Sequence, residues 1–431
     1  MEKEHNSENS SISQVTENIN MLDFSVQQCP FHAYDVIREK YPVWFDEKNG
    51  FYFVTDYNIL REILLDTKNF IVSRPADQVY VNPQRTQRIR ALYQEKGWLP
   101  TASLGSRDDP EHKQMRALFD QAFRASRIKA MDPFIAETST QLIDQFIDDG
   151  CCDWVRQFAV PLPLLAIFRQ VGARAEDMWR IKAWTNAWVQ RLGMMQTEEE
   201  ERWSTEMEIE MQHYFQPIFE YLRQNPDGTL LSDMVNTVIP EWQRPLSDAE
   251  LHTELMNDIF VAGAETTTNA LSAGVKLLIE RPEVWRLLKS NPDQYLRNFV
   301  EEIVRLEGPV QFLLRYAAKD TIIGGIKIPK DATIFVGYGA ANRDKAHFTC
   351  PDDLDLKREN AGSHLGFGTG VHHCLGATLA RRELYFGFKA LVDRIDDMWF
   401  APERNDFAYS PNIFLRALKE LHIEFRATVR S

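Results

Sequence analysis

The segment His364-Leu365-Gly366-Phe367-Gly368-Thr369-Gly370-Val371-His372-His373-Cys374-Leu375-Gly376-Ala377 holds three histidines, one cysteine and four glycines in fourteen residues. A metal site, a reactive thiol and a glycine-rich turn would each use part of it. Zinc takes four ligands at set spacing, commonly Cys-x2-4-Cys paired with His-x3-5-His. No Cys-x-x-Cys occurs in the chain, and the adjacent His372, His373 and Cys374 do not easily face one ion. A redox or nucleophilic thiol is another option. A helix is expected to begin just after Cys374, over Leu375 to Leu384, and its positive end favours a thiolate.

A thiolate ligand to haem iron uses more of these residues. Axial sulfur pushes electron density toward bound oxygen and favours O–O cleavage. The sulfur must lie close beneath a flat macrocycle, and Gly368, Gly370 and Gly376 permit the turn and the approach. Amides at the helix start can donate to the sulfur and tune its potential.

The rest of the chain bounds the choice. Its 431 residues can bury a large core. A hydrophobic content of 44% and a charged content of 26% are those of a globular protein. The net charge of −14 argues against nucleic acid or an anionic membrane as a general partner. Residues 1–20 read as a polar tail with no apolar leader or anchor. The run Phe158 to Phe168 carries two prolines and is too short to span a bilayer. The five cysteines form no paired framework, which points to a reducing cytoplasm.

Residues 21–431 are expected to form one domain, mainly α with small β-sheets. Its β-containing N-terminal part covers about 21–105, and a helix-rich remainder follows. Strands are predicted at Phe51 to Val54, after the turn Lys48-Asn49-Gly50. Others are predicted at Thr321 to Ile323 and Lys327-Ile328 around Gly324-Gly325, and at Thr333 to Val336. Ser247-Asp248-Ala249-Glu250 has the form of a capping box. Apolar positions continue through Leu255, Ile259, Val261, Leu271, Val275 and Leu278 until Pro282. The spacing predicts one helix of about 34 residues, roughly 50 Å long. Its middle, Ala262-Gly263-Ala264-Glu265-Thr266-Thr267-Thr268, is poor in helix formers and carries a carboxylate that is costly to bury. Either this turn faces solvent, or the helix is loosened so that Glu265 and Thr266 face a ligand cavity.

Phe367 to Gly376 fits the pattern Phe-Gly-x-Gly-x-His-x-Cys-x-Gly at all six specified positions, namely Phe367, Gly368, Gly370, His372, Cys374 and Gly376. The sequence thereby resembles the cytochrome P450 family, from about Asp23 to Phe425. Ala262-Gly263-x-Glu265-Thr266-Thr267 is similar to the family's oxygen-activation segment. Glu302-Ile303-Val304-Arg305 matches its Glu-x-x-Arg motif, and Arg358 matches the third member of that ion network. Lys345 stands where the family usually has Pro, and Leu354 where Phe is common.

The resemblance implies the P450 fold, with the long helix over haem b. Cys374 would be the axial ligand, and His112, Arg116, Arg315 and His372 would hold the propionates. Phe367, Gly368, Gly376 and Ala262 would lie against the haem. Glu302, Arg305 and Arg358 would orient the haem loop, while His364 and His373 would be structural. The implied reaction inserts one oxygen atom from O2 into a C–H bond or double bond, with Thr266 and Glu265 delivering protons. A pocket lined by Trp98, Leu99, Trp188 and Val261, and by Val310, Phe312, Leu313, Ile413 and Phe414, would take a terpenoid, steroid or fatty-acyl compound. Electrons from NAD(P)H would arrive through a ferredoxin reductase and a ferredoxin. The ferredoxin would dock among Lys113, Arg116, Arg124, Arg127, Lys129, Arg381 and Arg382. The protein is expected to be a cytoplasmic monomer without a membrane anchor. A haem sensor would share Cys374 without needing Glu265 and Thr266; a cysteine hydrolase or zinc protein would need no haem.

Overall fold

The computed structural model describes residues 19–74, 83–193 and 196–428. Apart from Ile19 and Asn20, the N-terminal tail lies outside them. The strand expectations are met and tied together over long distances. β1 (Val43–Asp46) and β2 (Phe51–Val54) form a hairpin. In its turn Asp46 accepts from the amides of Lys48 and Asn49 at 3.0 and 3.2 Å, and Gly50 stands at φ +73°. β3 (Phe70–Ile71), β5 (Phe312–Ala317) and β8 (Thr333–Gly337) complete a five-stranded sheet in the order β1-β2-β8-β5-β3. This sheet therefore joins the N-terminal part to segments some 250 residues later. β6 (Thr321–Ile323) and β7 (Ile326–Ile328) make a separate hairpin.

The sequence reading missed a third sheet. β4 (Cys151–Asp153) pairs with β10 (His422–Ala427), which pairs in turn with β9 (Ile395–Phe400). These are short, part-polar strands whose partners lie far away in the chain, so local pattern gives little sign of them.

Most of the molecule is helical and packs around the predicted long helix, which runs over residues 248–280. The Ser247 hydroxyl accepts from the Glu250 amide at 3.3 Å, and Glu250 accepts from the Ser247 amide at 2.8 Å. Pro282 opens the next helix, Pro282–Ser290. Loosening occurs, but mostly ahead of the weak helix formers: Leu255–Glu265 winds with i→i+5 hydrogen bonding, whereas Thr266–Thr268 lie in regular α-helix. On one side this stretch packs against Pro161–Val171 and Met178–Leu192. Among the described residues no helix is long and apolar enough to cross a membrane.

Candidate active site

The cysteine segment is a tight loop. Gly368 and Gly370 stand at φ +66° and +72°, where a side chain would be strained. The Cys374 amide donates to the Phe367 carbonyl at 2.8 Å. The helix Ala377–Arg394 begins three residues on, slightly later than expected. Gly376 differs from the other glycines. Its φ is −81°, and a Cβ there would lie 4.0 Å from Cys374 Sγ, so nothing within the chain compels glycine. The Cys374 side chain is open to solvent, yet surrounding protein raises its thiol pKa. The Gly376 amide, the guanidinium groups of Arg116 and Arg381 and the Ala377 amide pull the other way.

Basic groups from three elements gather beside this loop. His112, on the helix Glu111–Phe123, lies 4.2 Å from the His372 ring, centroid to centroid. It is buried and its Nδ1 has no hydrogen-bond partner; Asp109 Oδ1 is 3.5 Å away. Arg116 donates to the Val371 carbonyl at 3.3 Å and pairs with Asp120 at 3.4 Å. Arg315 enters from β5, buried, with Nη1 on the Leu314 carbonyl at 2.8 Å. Among the described residues no carboxylate pairs with it. Burial, with the neighbouring His112 and Arg315, lowers the His372 pKa to about 4.

On the long helix Ala262 is exposed, and Gly263 and Thr266 are half-buried, although nearly all residues around them are buried. Ala262 and Thr266 stand one turn apart, so their side of the helix is the one its neighbours leave uncovered; Gly263 turns instead toward Ile167, whose Cδ1 would lie 2.7 Å from an added Cβ. The Thr266 hydroxyl donates to the Ala262 carbonyl at 2.9 Å. Glu265 does not face that uncovered side, contrary to expectation. One residue round the helix, its carboxylate meets Lys182 Nζ at 2.6 and 2.7 Å and accepts from the Thr185 hydroxyl at 2.7 Å.

Several expected pocket residues prove to be core. Leu313 is 42% exposed and shares a strand face with Arg315. Alternation sends Phe312 to the opposite face, where it meets Tyr34 and Phe53 at 5.5 Å. Phe414 stacks on Phe335 at 5.7 Å, with Ile413 buried in the same cluster. Val261 is buried in the helical core. Trp98, Leu99, Trp188 and Val310 are half-buried, and Trp98 exchanges backbone hydrogen bonds with the Gln212 side chain at 2.9 and 2.8 Å.

The Glu302 network forms as expected. Its carboxylate accepts from Arg305 at 2.6 and 2.9 Å and from Arg358 at 3.0 Å. The two guanidinium groups also donate to the carbonyls of Asn342, Thr349, Cys350, Pro351 and Asp353. That fastens the segment leading into the cysteine loop.

Comparison with known proteins fits this arrangement. The family model for cytochrome P450 matches residues 200–396. The polyketide biosynthesis cytochrome P450 PksS of Bacillus subtilis (strain 168) is 31% identical over 91% of this chain and 92% of its own length. The chain is a cytochrome P450. A steroid C26-monooxygenase of Rhodococcus jostii is 29% identical over 94% of this P450 and 83% of the relative. The crystal structure of P450BioI bound to an acyl carrier protein bearing hexadec-9Z-enoic acid superposes with a TM-score of 0.83. It shares 27% identity and covers 93% of this chain and 100% of its own.

The family's cofactor is haem iron, and the residues present fit it. An open sulfur, a buried arginine without a carboxylate and a buried imidazole nitrogen without a partner are what an iron and two propionates would satisfy.

Sequence reasoning missed the groups that hold these residues in place. Glu301 accepts from Arg381 at 2.6 and 2.9 Å and meets His364 Nε2 at 3.0 Å. Its place beside the Glu302 motif was the available signal; Lys182 and Thr185 gave none. The basic docking patch also shrinks. Arg381 is paired with Glu301, Arg382 with Asp132, Arg127 with Asp233 and Arg116 with Asp120.

Two outcomes follow. Glu302→Ala strands two buried guanidinium groups and costs about 3–5 kcal/mol, read by urea unfolding. For Glu301, burial would raise the carboxyl pKa, but hydrogen bonds from His364 and Arg381 outweigh burial and hold it at about 2. A carboxyl lowered in the folded state stabilises fully above its ordinary value and loses that contribution as pH falls toward its folded value. The stability gap between wild type and Glu301→Gln is therefore widest near neutrality and closes between about pH 5 and pH 2, measured by unfolding at each pH.

Proposed function

We propose that this P450 inserts one oxygen atom from O2 into a hydrophobic small molecule, by hydroxylation or epoxidation, with electrons from a separate ferredoxin system fed by NAD(P)H. The observation that carries the reading is the uncovered side of the long helix at Ala262 and Thr266, in a chain whose cysteine loop also leaves Cys374 exposed. A terpenoid, steroid or fatty-acyl compound is the favoured substrate class. The relatives support this breadth, being named for polyketide biosynthesis and steroid oxidation, with a solved neighbour bound to a fatty-acyl carrier.

Bound haem supplies reductive activation of O2 at its iron. Cys374 would hold the iron through sulfur, and His112, Arg116, Arg315 and His372 would take the propionates. Phe367, Gly368, Gly376 and Ala262 would lie against the macrocycle. The Thr266 hydroxyl, released from the Ala262 carbonyl, would hold a proton at this side of the helix for delivery to the oxygen substrate. Glu265 resupplies that proton, which requires its carboxylate to leave Lys182 and swing toward the uncovered side. Apolar groups such as Leu313 and Val310 keep bulk water out and leave substrate contact to shape. Lys113, Arg124 and Lys129 remain as cations for steering an acidic ferredoxin, an effect that weakens with salt.

Reduced protein under carbon monoxide is expected to show the Soret band near 450 nm of a haem thiolate, and Cys374→Ala to lose it. A wild-type spectrum without that band would sink the reading. Thr266→Ala is expected to bind substrate as before while product formed per NAD(P)H falls about tenfold or more; unchanged coupling would remove Thr266 from the proton path. Screening compounds for the low-spin to high-spin shift identifies the substrate.

A further inference from the structure

Two adjacent carboxylates on the helix Pro292–Leu306 serve different segments. Glu302 fastens the approach to the cysteine loop, whereas Glu301 reaches the loop itself. Glu301 grips the Arg381 guanidinium through both oxygens, at 2.6 and 2.9 Å. The same carboxylate meets His364 Nε2 at 3.0 Å. His364 Nδ1 accepts from the Gly366 amide at 3.1 Å, so Nε2 carries the proton and donates to Glu301. Both partners converge on one ring. Arg381 Cζ sits 4.3 Å from the Phe367 centroid, and the His364 ring lies 5.6 Å from it. Phe367 in turn accepts the Cys374 amide through its carbonyl at 2.8 Å.

We propose that Glu301 is a positioning and charge-compensating residue for the Cys374 sulfur: it clamps Arg381 over Phe367 and offsets the cation that would otherwise favour reduced iron. The inference rests on the haem-thiolate reading of Cys374. Its sign follows from Coulomb's law. One-electron reduction of ferric to ferrous iron adds negative charge to the site. A nearby guanidinium stabilises the product, and a carboxylate paired with that guanidinium takes part of the stabilisation away. Arg381 is tied to the sulfur's loop by geometry, since the ring it covers belongs to the residue whose carbonyl accepts the Cys374 amide.

The test is a potentiometric titration of the purified haem-loaded protein, with dithionite as reductant. Glu301→Gln removes the compensating charge and is expected to raise the midpoint potential. Arg381→Gln removes the cation and is expected to lower it. Each change is about three- to tenfold in the ferric–ferrous equilibrium, tenfold being 59 mV for one electron. The double variant, which deletes a neutral pair, is expected to return to within about twofold of wild type. A purely architectural role predicts instead that the double variant is the most perturbed. Shifts of both single variants in one direction, or none while the 450 nm band persists, would overturn the proposal. Should Glu301→Gln not fold, Arg381→Lys decides: it keeps the charge without the fork and is expected to hold the wild-type potential. A shift as large as that of Arg381→Gln would overturn the proposal. Absence of the band from wild-type protein would bring down the haem-thiolate reading itself.

Discussion

A single carboxylate, that of Glu302, joins the helical body to the segment that presents the cysteine. It has no exposed surface, and the two arginines it holds are nearly as buried. Desolvating three charges is costly, and the cost is met because each guanidinium nitrogen finds an oxygen: three N–H groups donate to the carboxylate, and the others to backbone carbonyls between residues 342 and 353. Those carbonyls belong to a stretch with little regular structure of its own. Arginine forks thus supply the order that a helix or sheet would supply elsewhere, and the loop carrying Phe367 and Cys374 inherits it.

Electrostatics elsewhere follows one pattern. The chain is strongly acidic, and most of its inner cations are spoken for, as with Lys182 on Glu265 and Arg381 on Glu301. Among the described residues Arg315 and His112 stand out: Arg315 is buried with no carboxylate paired to it, and His112 is buried with only Asp109 at 3.5 Å and no hydrogen bond on Nδ1. In a chain that pairs its charges so thoroughly, these two mark where a negatively charged group of another molecule belongs.

How much was legible in the sequence depends on how local the determining interaction is. The capping box at Ser247 and the hairpin around Gly50 are set by neighbours within a few residues, and both were readable, whereas the loosened stretch of the long helix begins well before the weak helix formers that suggested it. The cysteine loop was readable too, because its glycines, histidine and cysteine are contiguous. The pairing of β4 with β10 was not, since its partners stand 269 to 273 residues apart and neither strand is strongly patterned. The direction of Glu265 was also hidden, because Lys182 and Thr185 arrive from a different helix. Phe312 and Leu313 show a subtler limit. Proximity to a pocket is a property of a segment, but facing it is a property of strand parity, and adjacent residues cannot share it.

The i→i+5 winding of residues 255–265 bears on how this helix tolerates changes in length. In a uniform α-helix each residue advances the face by about 100°, so losing one swings everything beyond it a quarter turn or more. Here the wider turns hold slack between the capped end at Ser247 and the threonine run. A one-residue deletion absorbed by tightening those turns would leave both ends seated on their neighbours and change only which side chain stands on the uncovered side. The same deletion beyond Thr266, where the winding is regular, would instead rotate Leu271, Val275 and Leu278 out of the core.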